Sequence, residues 1–308
     1  MRPVSQRLIL GLVLLAVVSL GWIVGRQRFS QRRHRANSIR ELSMRPATVT
    51  PSIANVVDVA LDQQYRRINA NGIPAHDVGR FPNRGNPHAM RPQQYHVKLP
   101  KDPQLALQTT SIYRTTRHGP PNIPFGIAIN GVLMDPGTAE FWDGNRDVGW
   151  NYEALGGAVP LGIDENHAHV QPSGSYHYHG LPKQLCQRLG VVDGNHSPLV
   201  GWAADGFPVY AKFGYQDAQD ATSPIVELVS SYRLRAGNRP DGEDGPGGVY
   251  DGTFVQDYEY VHGLGDLDQC NGRFCVTPDF PDGTYVYFLT TNWPVIPREF
   301  RGQPVELR

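Results

Sequence analysis

The chain has 308 residues, 40% hydrophobic and 19% charged, which supplies a core and excludes a disordered chain. Its 33 glycines and 26 prolines favour turns and short strands over long helices. A formal net charge of zero argues against a nucleic-acid footprint.

That zero hides an asymmetry. Residues 1–35 hold seven arginines and no acid, leaving 22 basic against 29 acidic residues in the remainder. Leu8 to Gly25 is an eighteen-residue run without a charge, with Arg2 and Arg7 before it. That length predicts a signal peptide or membrane anchor over residues 1–25, with contact to the membrane through residues 8–25. The arginines at 26, 28, 32, 33 and 35 outnumber those before the run. By the positive-inside rule they would keep the rest of the chain in the cytoplasm. Histidine and cysteine usage points the other way, and the expectation is a domain on the periplasmic or extracellular side, secreted or membrane-anchored.

Residues 26–60 read as a basic stalk and connecting segment, and 61–308 as one domain. Turn residues interrupt short β-branched or aromatic runs at Gly126–Ile129, Tyr176–His179, Val255–Val261 and Thr284–Thr290. Short helices are predicted near Ala54–Ile68 and Pro182–Leu189. The predicted fold is mainly β, a single compact domain of short strands and long ordered loops, with an N-terminal hydrophobic helix. The nucleotide-binding glycine motifs and the H-E-x-x-H zinc helix do not occur.

Four of the eleven histidines fall within thirteen residues, as His167-Ala-His169 and His177-Tyr-His179. On a strand, H-x-H puts both imidazoles on one face. Whether the two pairs meet depends on the turn between them. Pro172-Ser173-Gly174 suits a three-residue hairpin loop, with proline entering the turn and glycine in the left-handed position. Gln171 then faces Ser175, His169 faces His177, and His167 faces His179. An even-numbered loop would instead set tyrosines opposite the histidines. Facing imidazoles suit a transition metal such as copper or zinc, and not calcium or magnesium. The candidate ligands are therefore His167, His169, His177 and His179, with His76 as a further candidate. The bland alternative is histidines hydrogen-bonded among tyrosines. Glu165 and Asp205 are candidate bases for a metal-bound water, or simple turn caps.

Tyr176-His177-Tyr178-His179 resembles the signature of the YHYH domain family of bacteria. Asn71–His76, Phe81–Pro87, Ile129–Pro136, Ala168–Pro172, Ala204–Pro208, Tyr250–Phe254, Gly265–Gly272 and Pro281–Tyr285 also resemble family blocks. The resemblance covers roughly residues 65 to 302. It matches His169 to a histidine often found eight residues before the first histidine of the tetrapeptide. It implies an exported protein and names no reaction.

Cys186, Cys270 and Cys275 make an odd count. A Cys270–Cys275 or Cys186–Cys270 disulfide is one expectation, a thiol joining the histidines another, and buried thiols a third. Asp266 and Asp268 faintly resemble a calcium loop that lacks its distal glutamate. Trp142, Trp150, Trp202 and Trp293 suit either a sugar-binding groove or core packing. Three functions follow: a metal-binding protein, a metal-dependent hydrolase with an open coordination position, or a carbohydrate-binding or structural module without metal.

Overall fold

Glycine and proline recur along the whole chain, and the strands are short, from two to nine residues. The structure, a computed structural model, describes residues 44–114 and 122–307. In chain order the first strands are β1 (Val57–Leu61), β2 (Tyr65–Ala70), β3 (Tyr95–Pro100) and β4 (Leu105–Ser111). The next are β5 (Gly126–Ala128), β6 (Leu133–Met134), β7 (Ala168–Val170) and β8 (Tyr176–Tyr178). After the single described α-helix, α1 (Lys183–Arg188), come β9 (Leu199–Ala203), β10 (Pro208–Tyr210), β11 (Phe213–Tyr215) and β12 (Ile225–Glu227). β13 (Tyr232–Leu234), β14 (Tyr258–Tyr260), β15 (Gly272–Thr277), β16 (Phe280–Phe288) and β17 (Glu299–Gly302) complete the set. Strands predominate, and the described residues fall in one compact unit.

The central sheet has eight strands in the order β15-β16-β10-β9-β5-β6-β8-β7. It is mixed, with β6 parallel to β8 and β10 parallel to β16. Its middle strands β5, β6, β8 and β10 are buried at every residue. A sheet covered on both faces requires that pattern. Leu133, Val200, Val209, Tyr287 and Phe300 join one large core that includes Val97 and Leu99 of the β1-β2-β3 sheet. One buried ion pair lies inside: Arg298 binds Glu153 at 2.9 Å, and Trp293 Nε1 donates to the same carboxylate at 2.8 Å.

Two sequence expectations are corrected here. Ala54–Ile68 is no helix but the β1-β2 hairpin, in register Val59↔Ile68. Asp62 makes the turn, its carboxylate accepting from the backbone N–H of Gln64 and Tyr65 at 2.9 and 2.7 Å. Such local side-chain capping competes with a helix. The three cysteines are free and buried, and no disulfide forms among them. The helix expected near Pro182–Leu189 is α1. Residues before β1 already pack on the domain: Val49 pairs with Val78 and Ala47 is buried. Among the described residues no helix is long and apolar enough to cross a membrane. The expected N-terminal hydrophobic helix and the span at 8–25 lie outside the described residues.

Candidate metal centre

The β7-β8 hairpin takes the odd-loop register. Gln171 N donates to Ser175 O at 2.9 Å, and Gly174 N donates to Gln171 O at 2.8 Å. Gly174 has φ +89°, the left-handed conformation that glycine adopts at little cost. The ladder then pairs His169 with His177, Ala168 with Tyr178 and Val170 with Tyr176. One step further, His179 N donates to His167 O at 2.7 Å.

Three of the four rings meet. The centroids of His169, His177 and His179 lie 4.6–4.7 Å apart, each ring edge-on to the others. One ligand atom from each lies within 4.8 Å of the other two. Nitrogens bound at about 2.0–2.1 Å to a tetrahedral ion are about 3.3 Å apart, so small ring rotations close the set on an ion. His169 Nδ1 donates to Leu161 O at 2.8 Å and His177 Nδ1 to Ser175 O at 3.2 Å. Those bonds fix the tautomers and leave Nε2 as the unprotonated nitrogen of each ring. His179 differs: it is 1% exposed, and neither of its ring nitrogens finds a hydrogen-bond partner among the described residues. The nearby Pro136 backbone favours its protonation but makes no hydrogen bond of acceptable geometry to either nitrogen. A buried polar group without a partner is costly and requires an explanation.

Electrostatics keep His169 and His179 in the neutral form. Burial holds His179 well below the usual imidazole range, and His169 adds to the effect. Burial also lowers His169, against the opposing Leu161 carbonyl. Both are neutral at pH 7, the form that binds metal. The three rings line a cleft of about 440 Å³ with Asn86, Asp135 and Gln171.

The structure does not bring His167 into this group. Its backbone has φ +56°, which turns the side chain off the strand face, and its Nδ1 donates to Leu181 O at 2.8 Å. The turn before it is the cause: Asp164 Oδ1 accepts from the N–H of Asn166, and His167 N donates to Asp164 O, both at 2.9 Å. His76 lies on the opposite face of β8. Its Nδ1 donates to Asp77 O at 2.7 Å and its Nε2 accepts from the Tyr178 hydroxyl at 2.6 Å. Asn130 Nδ2 donates to the same hydroxyl, and Tyr176 donates to Asp164 at 2.8 Å. The two tyrosines thus clamp β8 from behind the histidines. Burial raises the Asp164 carboxyl to about 6.

Neither candidate base lines the cleft. Glu165 Oε1 accepts from Gln184 Nε2 at 3.4 Å. Asp205 caps a second three-residue bend, ending in Gly206 at φ +91°. It accepts from Tyr287 OH at 2.5 Å and Gly302 N at 2.9 Å. No cysteine belongs to the histidine group. Asp268 accepts from the N–H of Cys270 and Gly272, as a turn cap does. Three of the four candidate tryptophans are engaged in packing: Trp150 on Phe254, Trp202 under Arg66, and Trp293 stacked on Tyr258.

Asp135 and Asn86 escape a reading of the sequence. Register brings Asp135 beside the site, because β6 and β8 pair as Met134↔Tyr178 and Asp135 N donates to Tyr178 O at 2.8 Å. The alternation Leu133-x-Asp135 is a faint signal, on a strand of two residues.

The model of the YHYH protein family matches residues 96–302. The chain belongs to the YHYH protein family. The matched span takes in the β7-β8 hairpin, the three clustered histidines and Asp135. No curated protein and no solved structure matches the chain.

Proposed function

We propose that this YHYH protein binds one transition-metal ion, zinc or copper, through Nε2 of His169 and His177 and a ring nitrogen of His179. The observation that carries this reading is His179, buried and unpartnered, facing two imidazoles whose tautomers are already fixed. Three imidazoles without a thiolate suit zinc and copper. The fourth coordination position opens on the cleft. We place the domain outside the cytoplasm, reading the N-terminal apolar run as an export leader in line with the histidine cluster and against the arginines that follow the run. Calorimetry with zinc(II) and copper(II) tests the metal reading. One ion per chain is expected, and His169→Ala with His177→Ala should abolish binding. Equal uptake by that double variant contradicts the proposal.

A second reading, metal-dependent hydrolysis, is favoured by one observation: three protein ligands leave a position facing a cleft that also holds a carboxylate, Asp135. Hydrolysis of an activated ester that is lost with chelator and regained with zinc supports it. Equal rates with and without metal count against it.

A further inference from the structure

We propose that the cleft side of this centre selects ligands carrying an N–H or O–H within a few bonds of their metal-binding atom, and that Asp135 and Asn86 make the selection. The inference rests on the metal reading above. Both residues line the cleft with the three histidines.

Asp135 is 1% exposed. Continuing the parallel register from Met134↔Tyr178 sets it beside His179, one inter-strand spacing of about 4.8 Å away. Paired residues in a parallel ladder share a face, so Asp135 stands on the histidine side of the sheet. Its carboxylate is oriented by two amides, from Asn122 and Gln171. Both of its oxygens act as acceptors.

Asn86 is an independent pointer to a ligand. It is 3% exposed, and its Nδ2 donates to Val170 O at 2.8 Å, next along β7 from His169. That bond fixes which end of the amide is oxygen. The buried Oδ1 finds no partner among the described residues. A buried acceptor left open beside a metal position is satisfied by a donor on the incoming molecule. Two acceptors lining the cleft onto which the coordination position opens therefore favour a protic ligand over an aprotic one with the same metal-binding atom. A site built to hydrogen-bond its ligand discriminates strongly against the analogue that lacks the donor.

Cobalt(II)-loaded protein titrated with imidazole and with 1-methylimidazole tests this through the visible cobalt bands. Both ligands coordinate through the same type of nitrogen, and only imidazole keeps an N–H. Wild type is expected to bind imidazole at least about 10-fold more tightly. Asn86→Ala and Asp135→Ala should each reduce that ratio to about threefold or less, with 1-methylimidazole affinity unchanged within the same factor. Circular dichroism checks folding, and if Asp135→Ala does not fold, Asn86→Ala decides. Equal affinities in wild type overturn the inference. So does a preference that survives in the folded variants, which would assign it to methyl sterics. Cobalt bound without discrimination sinks this inference alone, whereas no cobalt uptake sinks the metal reading with it.

Discussion

Replacing Gly174 by alanine should disturb the metal centre from a distance, because the bend at 172–174 sets which side chains face each other. Gly174 has φ +89°, and a Cβ there would lie 2.6 Å from Cβ and 2.8 Å from Cγ of Arg91. A non-glycine residue in the left-handed region costs about 1–2 kcal/mol. The contact adds to this, because Arg91 N donates to Gly174 O at 2.9 Å and its Cβ cannot retreat without weakening that bond. With overpacking of about 1–2 kcal/mol, the total is about 2–4 kcal/mol. For a domain of this size that corresponds to a melting temperature lower by about 5–15 °C. Thermal melts of metal-free Gly174→Ala and wild type measure it. Calorimetry on the same samples should show zinc affinity lower by about tenfold or more, since loss of the odd register separates His169 from His177. A variant that melts within about 1 °C of wild type and binds zinc equally well would refute the reasoning.

Three further outcomes are expected. His167→Gln should leave zinc affinity within about threefold of wild type, since the ring bonds Leu181 O and stands apart from the other three. The same variant tests a pH dependence in the metal-free protein. Burial pushes His167 down to about 4, so as pH falls from 6.5 the unfolded chain takes up a proton that the native one refuses. That stability is complete above pH 6.5 and is lost on the way to pH 4, by about 3 kcal/mol. Urea melts should show a flatter profile in His167→Gln over that window, and parallel profiles would contradict it. Tyr178→Phe leaves His76 Nε2 without its donor and Asn130 Nδ2 without its acceptor, at a cost of about 1–3 kcal/mol, while one zinc per chain is retained. Loss of stoichiometric zinc in folded Tyr178→Phe would show that the rear clamp is part of the site. Finally, a thiol reagent should leave the native protein unmodified and titrate three thiols in denaturant without reductant, because Cys186, Cys270 and Cys275 are free and buried. Burial pushes the Cys186 thiol up to about 12, away from the reactive thiolate. Fewer than three titrated thiols would restore a disulfide.

What was legible in the sequence was local. Proline entering the bend and glycine leaving it identify an odd hairpin loop, and period-two alternation does the rest for His169 and His177. The same rules read Tyr176 and Tyr178 onto the opposite face. They fail at His167, where the Asp164 turn forces a positive φ on a non-glycine residue and removes one of four expected ligands. They fail over Ala54–Ile68, where Asp62 caps a hairpin turn inside what reads as a helix. Asp135 and Asn86 are illegible for another reason. Asp135 reaches the site through a parallel pairing across more than forty residues of chain, and Asn86 through a loop anchored on Val170 O. Such non-local pairings leave no periodic trace. Cysteine count alone likewise says nothing of the separation that decides whether thiols pair.

X-ray absorption at the zinc edge of the zinc-loaded protein tests the central claim most directly. Three imidazole nitrogens at about 2.0–2.1 Å with one further light-atom ligand are expected, falling to two or fewer imidazoles in His179→Ala. A spectrum without imidazole scattering, or one unchanged by His179→Ala, would contradict a centre built on His169, His177 and His179.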